Sequence, residues 1–278
     1  MNEDRDNLTG EFDLLRLAPE VLRARDFRLY TRGGRRLVDL WQNGGAAVLG
    51  HTPHLLLREL KNTASRGLFA PFPHFWEGRF TRALSRLFPG RTFRLYASAP
   101  AAAEDLLKKG AAGLWRPFLD PLAPLAAADA PGVLIPVLPG IQGWRGGLPQ
   151  GLCVLAINAA CENALPAGDF LPPVLLAAAA RGIYDLIAAA PERVPVLPRI
   201  TKALNNDSPW QRRGIYLSLG ADRGLRAETV PEVWPALFRR FLEAGFLLPP
   251  VPDHPLILPG VLPPGEEAKL AELLQFRP

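Results

Sequence analysis

Apolar residues recur at helical spacing in several stretches of the chain. Phe12, Leu14, Leu15, Leu17, Val21 and Leu22 predict a helix over 12–24. Residues 54–66 and 77–88 read as amphipathic helices, the second stopped by Pro89-Gly90. Pro100 opens a predicted helix that runs to Lys109, since Pro suits a first helical turn. Residues 173–190, rich in Ala and Leu, predict a long helix. Residues 230–244 predict another, closed by Gly245, and 265–274 a terminal one. Strand patterns fall between them. Residues 27–30 and 36–40 flank a Gly33-Gly34 turn, and 93–97, 132–138, 152–157 and 213–219 are short and apolar. Strands alternating with helices predict an α/β fold.

Composition narrows the classes. Two cysteines, Cys153 and Cys161, have neither the number nor the spacing of a disulfide framework or a zinc site, so free thiols are expected. The N-terminal stretch MNEDRDNLTGEF is acidic and lacks the character of a signal peptide. The longest apolar run, 171–190, is interrupted by Pro172, Pro173, Arg181 and Asp185, too often for a membrane span. A cytoplasmic protein is expected. The net charge of +5 rests on arginines scattered in ones and twos, without a basic run or a nucleic-acid-binding signature. No nucleic-acid partner is expected, although binding that falls steeply with salt would support a polyanion-recruiting role.

The segment 30–89 carries Asp39, Trp41, Gly44-Gly45, Leu49-Gly50-His51 and Pro53 in order. It resembles the N-terminal part of the class III PLP-dependent aminotransferases, the group containing glutamate-1-semialdehyde aminomutase. Tyr216 and residues 238–274 resemble that family's C-terminal small domain. The resemblance covers about half of the chain, at both ends. It implies a reduced fold-type-I PLP-transferase-like architecture, with a shortened central sheet and an α+β small domain formed by the N- and C-terminal segments. The corresponding boundaries are 1–90 (small-domain and dimer-interface part), 91–195 (reduced large domain) and 196–278 (small domain).

The same resemblance implies three requirements for catalysis, and the sequence departs from each. A Schiff base needs a primary amine. No lysine lies between Lys109 and Lys202; Lys61, Lys108, Lys109 and Lys269 fall on predicted helices among polar neighbours, which leaves Lys202 as the candidate. The family's phosphate loop leads into a helix whose amides hold the anion. The matching stretch here is Ala97-Ser98-Ala99-Pro100-Ala101, in which Ser98 is the remnant, Ala99 replaces a glycine and Pro100 removes an amide donor. No acid closes the strand at 133–138 to face a pyridine nitrogen; Asp120, Asp129 and Asp169 sit among Pro and Ala in loops. Each βα unit takes roughly 30 residues or more, so the middle of the chain is too short for the full sheet.

The expected protein is therefore a non-catalytic relative with no cofactor, acting in binding or scaffolding of a small anionic metabolite or a protein partner. The alternative is an active PLP enzyme that uses Lys202 or holds PLP noncovalently. His51, His54 and His74 lack a third ligand at metal spacing, so no metal site is expected. Cys161-Glu162-Asn163 has no paired histidine nearby, which disfavours a cysteine hydrolase. The aromatic stretch Phe69, Phe72, Phe75 and Trp76, interleaved with prolines, exceeds what one small domain buries. With the geometry of the resembled family it predicts a homodimer.

Overall fold

The computed structural model describes residues 12–123, 125, 131–190, 192–204, 208–219 and 230–275. In chain order the elements are β1 (Val21–Arg25), β2 (Arg28–Thr31), β3 (Arg36–Asp39), α1 (His54–Ala64), α2 (Phe75–Leu87), β4 (Thr92–Ser98), α3 (Ala101–Lys108), β5 (Ala112–Trp115) and β6 (Val133–Pro136). There follow β7 (Gly143–Arg145), β8 (Leu148–Ile157), α4 (Pro173–Ala189), α5 (Pro198–Ala203), β9 (Trp210–Arg213), β10 (Tyr216–Leu219), α6 (Val230–Glu243), β11 (Phe246–Leu247), β12 (Leu256–Ile257) and α7 (Pro264–Gln275). The mixed α/β class expected from the alternation of patterns is the class observed.

The chain forms two compact units, one joining Met1–Gly44 to Val194–Pro278 and the other spanning Gly45–Arg193. The N- and C-terminal segments thus share one α+β unit, as expected. Residues 45–90, which the boundary at 90 assigned to the N-terminal part, instead belong to the second unit. The reason is physical: α1 and α2 both pack on α4.

In the first unit, β1-β2-β3-β11 form one sheet and β12-β10-β9 another. Short β11 runs parallel to β3, with Phe246 opposite Val38. Glu266 of α7 ties the sheet to the helix: it accepts from Arg28 Nη2 at 2.5 Å and from Arg36 Nη2 at 2.9 Å. The helix expected over 12–24 is absent. A 3-10 turn covers Asp13–Leu17, Ala18 is extended (ψ 144°), and β1 follows. Pro19 explains the change, because the residue before a proline is pushed out of the helical region. The single strand expected at 213–219 is a hairpin, β9 and β10, turning at Gly214 with φ +56°.

The second unit holds one sheet in the order β4-β8-β6-β5, with β7 paired to β8. β6 reads Val-Leu-Ile-Pro and is buried at every position, as a central strand must be when both faces are covered. The β7–β8 hairpin turns through Gly146 (φ +58°) and Gly147 (φ +74°), the pair of positive φ values that a tight two-residue turn demands. β6 pairs with β8 only at Val133 and Leu134. Beyond that the two strands diverge, and the buried side chain of Gln142 fills the gap. Its Nε2 donates to Leu152 O at 2.9 Å and to Pro136 O at 3.3 Å, while its Oε1 accepts from Leu138 N at 2.7 Å. Ala102, Ala103, Leu106 and Leu107 of α3 pack on a core that includes Val133, Ile135, Cys153 and Leu155. α4 presents Ala177–Ala180, all buried small residues that let it approach closely.

Candidate functional site

The end of β4 and the start of α3 form the junction that the sequence singles out. The β4–β8 ladder shifts register between Tyr96 and Ser98, and Ser98 faces Gln150 across it. Ser98 is exposed. Pro100 is extended (φ −70°, ψ 151°) just before α3, and no side chain caps that helix. Its carbonyl accepts from Ala103 N at 2.8 Å. Pro100 itself has no N–H to offer a ligand.

The nearest strand amide is already committed. Ala97 N donates to Asp169 Oδ2 at 2.9 Å, and Asp169 N donates to Leu95 O at 2.7 Å. Gly168 passes so near β4 that a Cβ there would lie 2.9 Å from Leu95 O. Residues 168 and 169 thus cover the edge of β4, and the chain's own carboxylate takes the amide beside the loop. Next to it, Arg94 spends its guanidinium on backbone carbonyls: Nη1 on Leu165 O and, at 2.8 Å, on Pro166 O, and Nη2 on Glu162 O at 2.7 Å. Tyr96 donates its hydroxyl to Pro166 O at 2.7 Å, and burial raises its pKa above the ordinary tyrosine value. A cavity of about 210 Å³ lies against this edge, lined in part by Glu77, Arg94, Asp169 and Phe170.

The other candidate residues fall elsewhere. All five lysines, Lys61, Lys108, Lys109, Lys202 and Lys269, are exposed. Lys202 belongs to α5 in the first unit, whereas Ser98 belongs to the second. An amine that attacks a carbonyl has to be neutral, a form that burial favours and exposure does not. Among the acids, Asp120 Oδ1 accepts from Leu122 N at 2.8 Å in a local turn, and Asp169 is held as described. Asp129 lies outside the described residues. The junction therefore does not fit PLP as a covalently held group: it offers no buried lysine, a proline where a donor is needed, and an amide occupied by Asp169.

His74 caps α2, its Nδ1 accepting from Trp76 N at 3.3 Å. Exposed His54 opens α1, and His51 lies in a preceding turn. Among the described residues no group of three or more His, Cys, Asp or Glu converges on a common point. Both cysteines are free. Cys153 is fully buried, and burial pushes its thiol up to about 12, far above the range of a nucleophilic thiolate. Cys161 is half-buried, its Sγ against Gly132. Phe69, Phe72 and Phe75 stand at least half exposed, at 62%, 50% and 51%.

Sequence reasoning did not single out Gln142, or a cavity of about 280 Å³ where Trp76, Arg79 and Arg82 of α2 meet Glu59 of α1 and Arg181 of α4. The three-residue spacing of Trp76, Arg79 and Arg82 is the signal that could have located half of it, since such positions share a helix face. The contribution of α4 comes from about a hundred residues away and has no local signal.

No family model matches the sequence. An uncharacterized protein of Treponema pallidum (strain Nichols) is 29% identical over 297 residues, covering 89% of this chain and 91% of the relative. Among solved structures, ornithine δ-aminotransferase of Plasmodium falciparum superposes with a TM-score of 0.62 at 14% identity, over 92% of each chain. An omega-transaminase from Sphaerobacter thermophilus does so with a TM-score of 0.61 at 14% identity, covering 99% of this chain and 98% of that one. The fold is that of the PLP-dependent transaminases, at a sequence distance where fold alone is shared. Among the described residues no helix is long and apolar enough to cross a membrane.

Proposed function

We propose that this chain is an aminotransferase-like protein, with glutamate-1-semialdehyde aminomutase the subtype it resembles in sequence, that has given up PLP-dependent catalysis and works in the cytoplasm by binding or scaffolding. The observation that carries this reading is the bond from Ala97 N to Asp169 Oδ2 next to Pro100. A phosphate monoester placed there would meet the Asp169 carboxylate and find the Ala97 amide already taken, and like charges at that range repel. The exposure of every lysine supports the same reading.

Phe69, Phe72 and Phe75, each at least half exposed and close together in sequence, support a homodimer, since large apolar patches left open on a surface mark sites of association. Solution scattering at micromolar concentration checks this, and a monomeric mass would count against it.

The test of the catalytic reading is a titration of the purified protein with PLP. It is followed by visible absorbance, then by borohydride reduction and peptide mass analysis. The expected result is no new band and no single reduced adduct. A band together with one adduct on Lys202, lost in Lys202→Ala, would establish the rival reading of an active PLP enzyme.

A further inference from the structure

Several arginines of either unit donate to main-chain carbonyls or to a carboxylate of the fold. Arg91 donates to Gly132 O, Ala156 O and Pro131 O. Arg193 donates to Val48 O at 2.8 Å. Arg212 donates to Gly214 O and Pro195 O, and burial lowers its pKa. Arg28 and Arg36 share Glu266. Arg79 and Arg82 differ: among the described residues neither guanidinium is paired with a carboxylate or bonded to a carbonyl, and both line the 280 Å³ cavity.

That cavity is built on three helices of the second unit. α2 contributes Trp76, Arg79 and Arg82, α1 contributes Glu59, and α4 contributes Ala180, Arg181 and Tyr184. Arg181 is neutralised by Asp185 one turn along, through Nε at 2.8 Å. Glu59 has no cation bonded to its carboxylate among the described residues. The lining therefore carries two uncommitted guanidiniums and one uncommitted carboxylate, beside the rings of Trp76 and Tyr184.

One of the two guanidiniums, that of Arg79, is held in place before any ligand arrives. Arg79 lies over the rings of Phe75 and Trp76, at 4.7 and 4.9 Å from their centroids. Arg86, next along the face, lies 5.3 Å over the ring of Tyr184. Stacking on rings orients the planar fork without using its N–H donors, which stay available for the oxygens of a phosphate. The indole Nε1 of Trp76 is buried and bonds to no acceptor. Ala180, 2% exposed, forms the floor, and a longer side chain there would fill the space. The volume is near the lower end of pockets that hold small organic ligands.

We propose that this cavity binds a phosphate monoester carrying a flat nitrogenous ring, with a nucleoside monophosphate as the simplest member of the class. Arg79 and Arg82 take the phosphate by forked hydrogen bonds. The ring lies against Trp76 and Tyr184, a contact worth having because aromatic faces accept any base without reading its sequence. Glu59 accepts from an N–H on the ring, which sets the ligand's direction in the pocket. A free carboxylate beside two guanidiniums favours such a ligand over inorganic phosphate, which sets its own negative charge against Glu59 and brings no ring for Trp76 and Tyr184. The site uses none of the groups at the β4–α3 junction, so it stands whether or not that junction has lost its chemistry.

The experiment is calorimetric titration of the full chain with adenosine monophosphate, with adenosine and inorganic phosphate as the two partial probes. Saturable one-site binding of adenosine monophosphate is expected, with each partial probe at least tenfold weaker. Arg79→Gln with Arg82→Gln, both on exposed positions, should weaken binding at least tenfold and leave the circular dichroism spectrum and melting temperature unchanged. Ala180→Val should weaken it by filling the floor. If Ala180→Val unfolds the chain, the double arginine variant decides alone. Absence of saturable binding, or equal binding by the double variant, overturns the proposal. Equal binding by inorganic phosphate overturns the role of the ring and of Glu59, and with it the ligand class.

Discussion

Asp169 Oδ2 accepts the N–H of Ala97 at 2.9 Å, while Asp169 N returns a bond of 2.7 Å to Leu95 O. Asp169 thus bonds two residues of β4, Ala97 and Leu95, from 72 positions beyond the first, on the edge of the sheet. An edge strand with free amides is an open template for other chains, and native sheets cover such edges. Here the cover is a short segment whose carboxylate also occupies the amide that leads into α3.

Asp169→Ala removes the acceptor and leaves Ala97 N without its partner on a strand edge. The expected cost is about 0.5–1 kcal/mol, the lower part of the usual net worth of a hydrogen bond, because the site is exposed and water can replace the acceptor. A urea denaturation curve with unchanged slope and a lower midpoint is the signature. On the proposed reading the variant should take up no PLP, because Pro100 still lacks a donor and no buried lysine is created.

How much of this was readable in advance varies by element. α1, α2, α4, α6 and α7 carry long periodic apolar faces, and their positions in the structure lie within a few residues of the expected ones. Residues 12–24 fit helical spacing equally well, but Pro19 splits them, and the second half pairs as β1 with β2. β11 and β12 are two residues each, below any pattern's reach. At the site, the proline and alanine of the β4–α3 loop were legible from resemblance alone. The partner of Ala97 was not, because Asp169 approaches through tertiary folding and its neighbours, Gly168 and Phe170, look like any loop.

Gln142→Leu tests whether one amide holds the diverging strands together. The side chain is 1% exposed and serves Leu138 N, Pro136 O and Leu152 O. Leucine has a similar volume but leaves all three main-chain groups without this partner in a dry place. A loss of about 3 kcal/mol is expected, since each unsatisfied buried group costs roughly 1–3 kcal/mol and relaxation recovers part. Gln211→Leu, on the exposed side of β9, is the control and should change stability by less than about 0.5 kcal/mol.

Cys153 makes stability depend on alkaline pH. Burial holds its folded-state pKa near about 12, against 9.0 for an unperturbed thiol. Between those values the unfolded chain has lost the proton and the folded chain keeps it, so the unfolded state binds fewer protons and stability falls as pH rises. The contribution is intact below pH 9 and declines from there toward pH 12. Denaturation midpoints measured from pH 8 to pH 10.5 should fall more steeply for the parent than for Cys153→Ala. Parallel slopes would show that the thiol is not the group responsible. In the native state at pH 8, Cys153 should also resist a thiol reagent until urea opens the sheet.

Two glycines on neighbouring helices should respond to the same substitution with opposite signs. Alanine favours a helix over glycine by about 1 kcal/mol, chiefly through the entropy of the unfolded chain. Gly78 lies in α2, and a Cβ built there meets nothing within 4 Å, so Gly78→Ala should gain about 0.5–1 kcal/mol. Gly182 lies in α4, where a Cβ would sit 2.6 Å from Pro139 O and 3.1 Å from Leu56 Cδ1. Leu56 can rotate away, but the carbonyl belongs to the backbone and cannot move without shifting the chain that follows β6. The steric cost of about 1–3 kcal/mol exceeds the gain in propensity. Gly182→Ala should therefore lower the melting temperature while Gly78→Ala raises it. If both raise it, α4 does not approach residues 139–140 as closely as the structure has it.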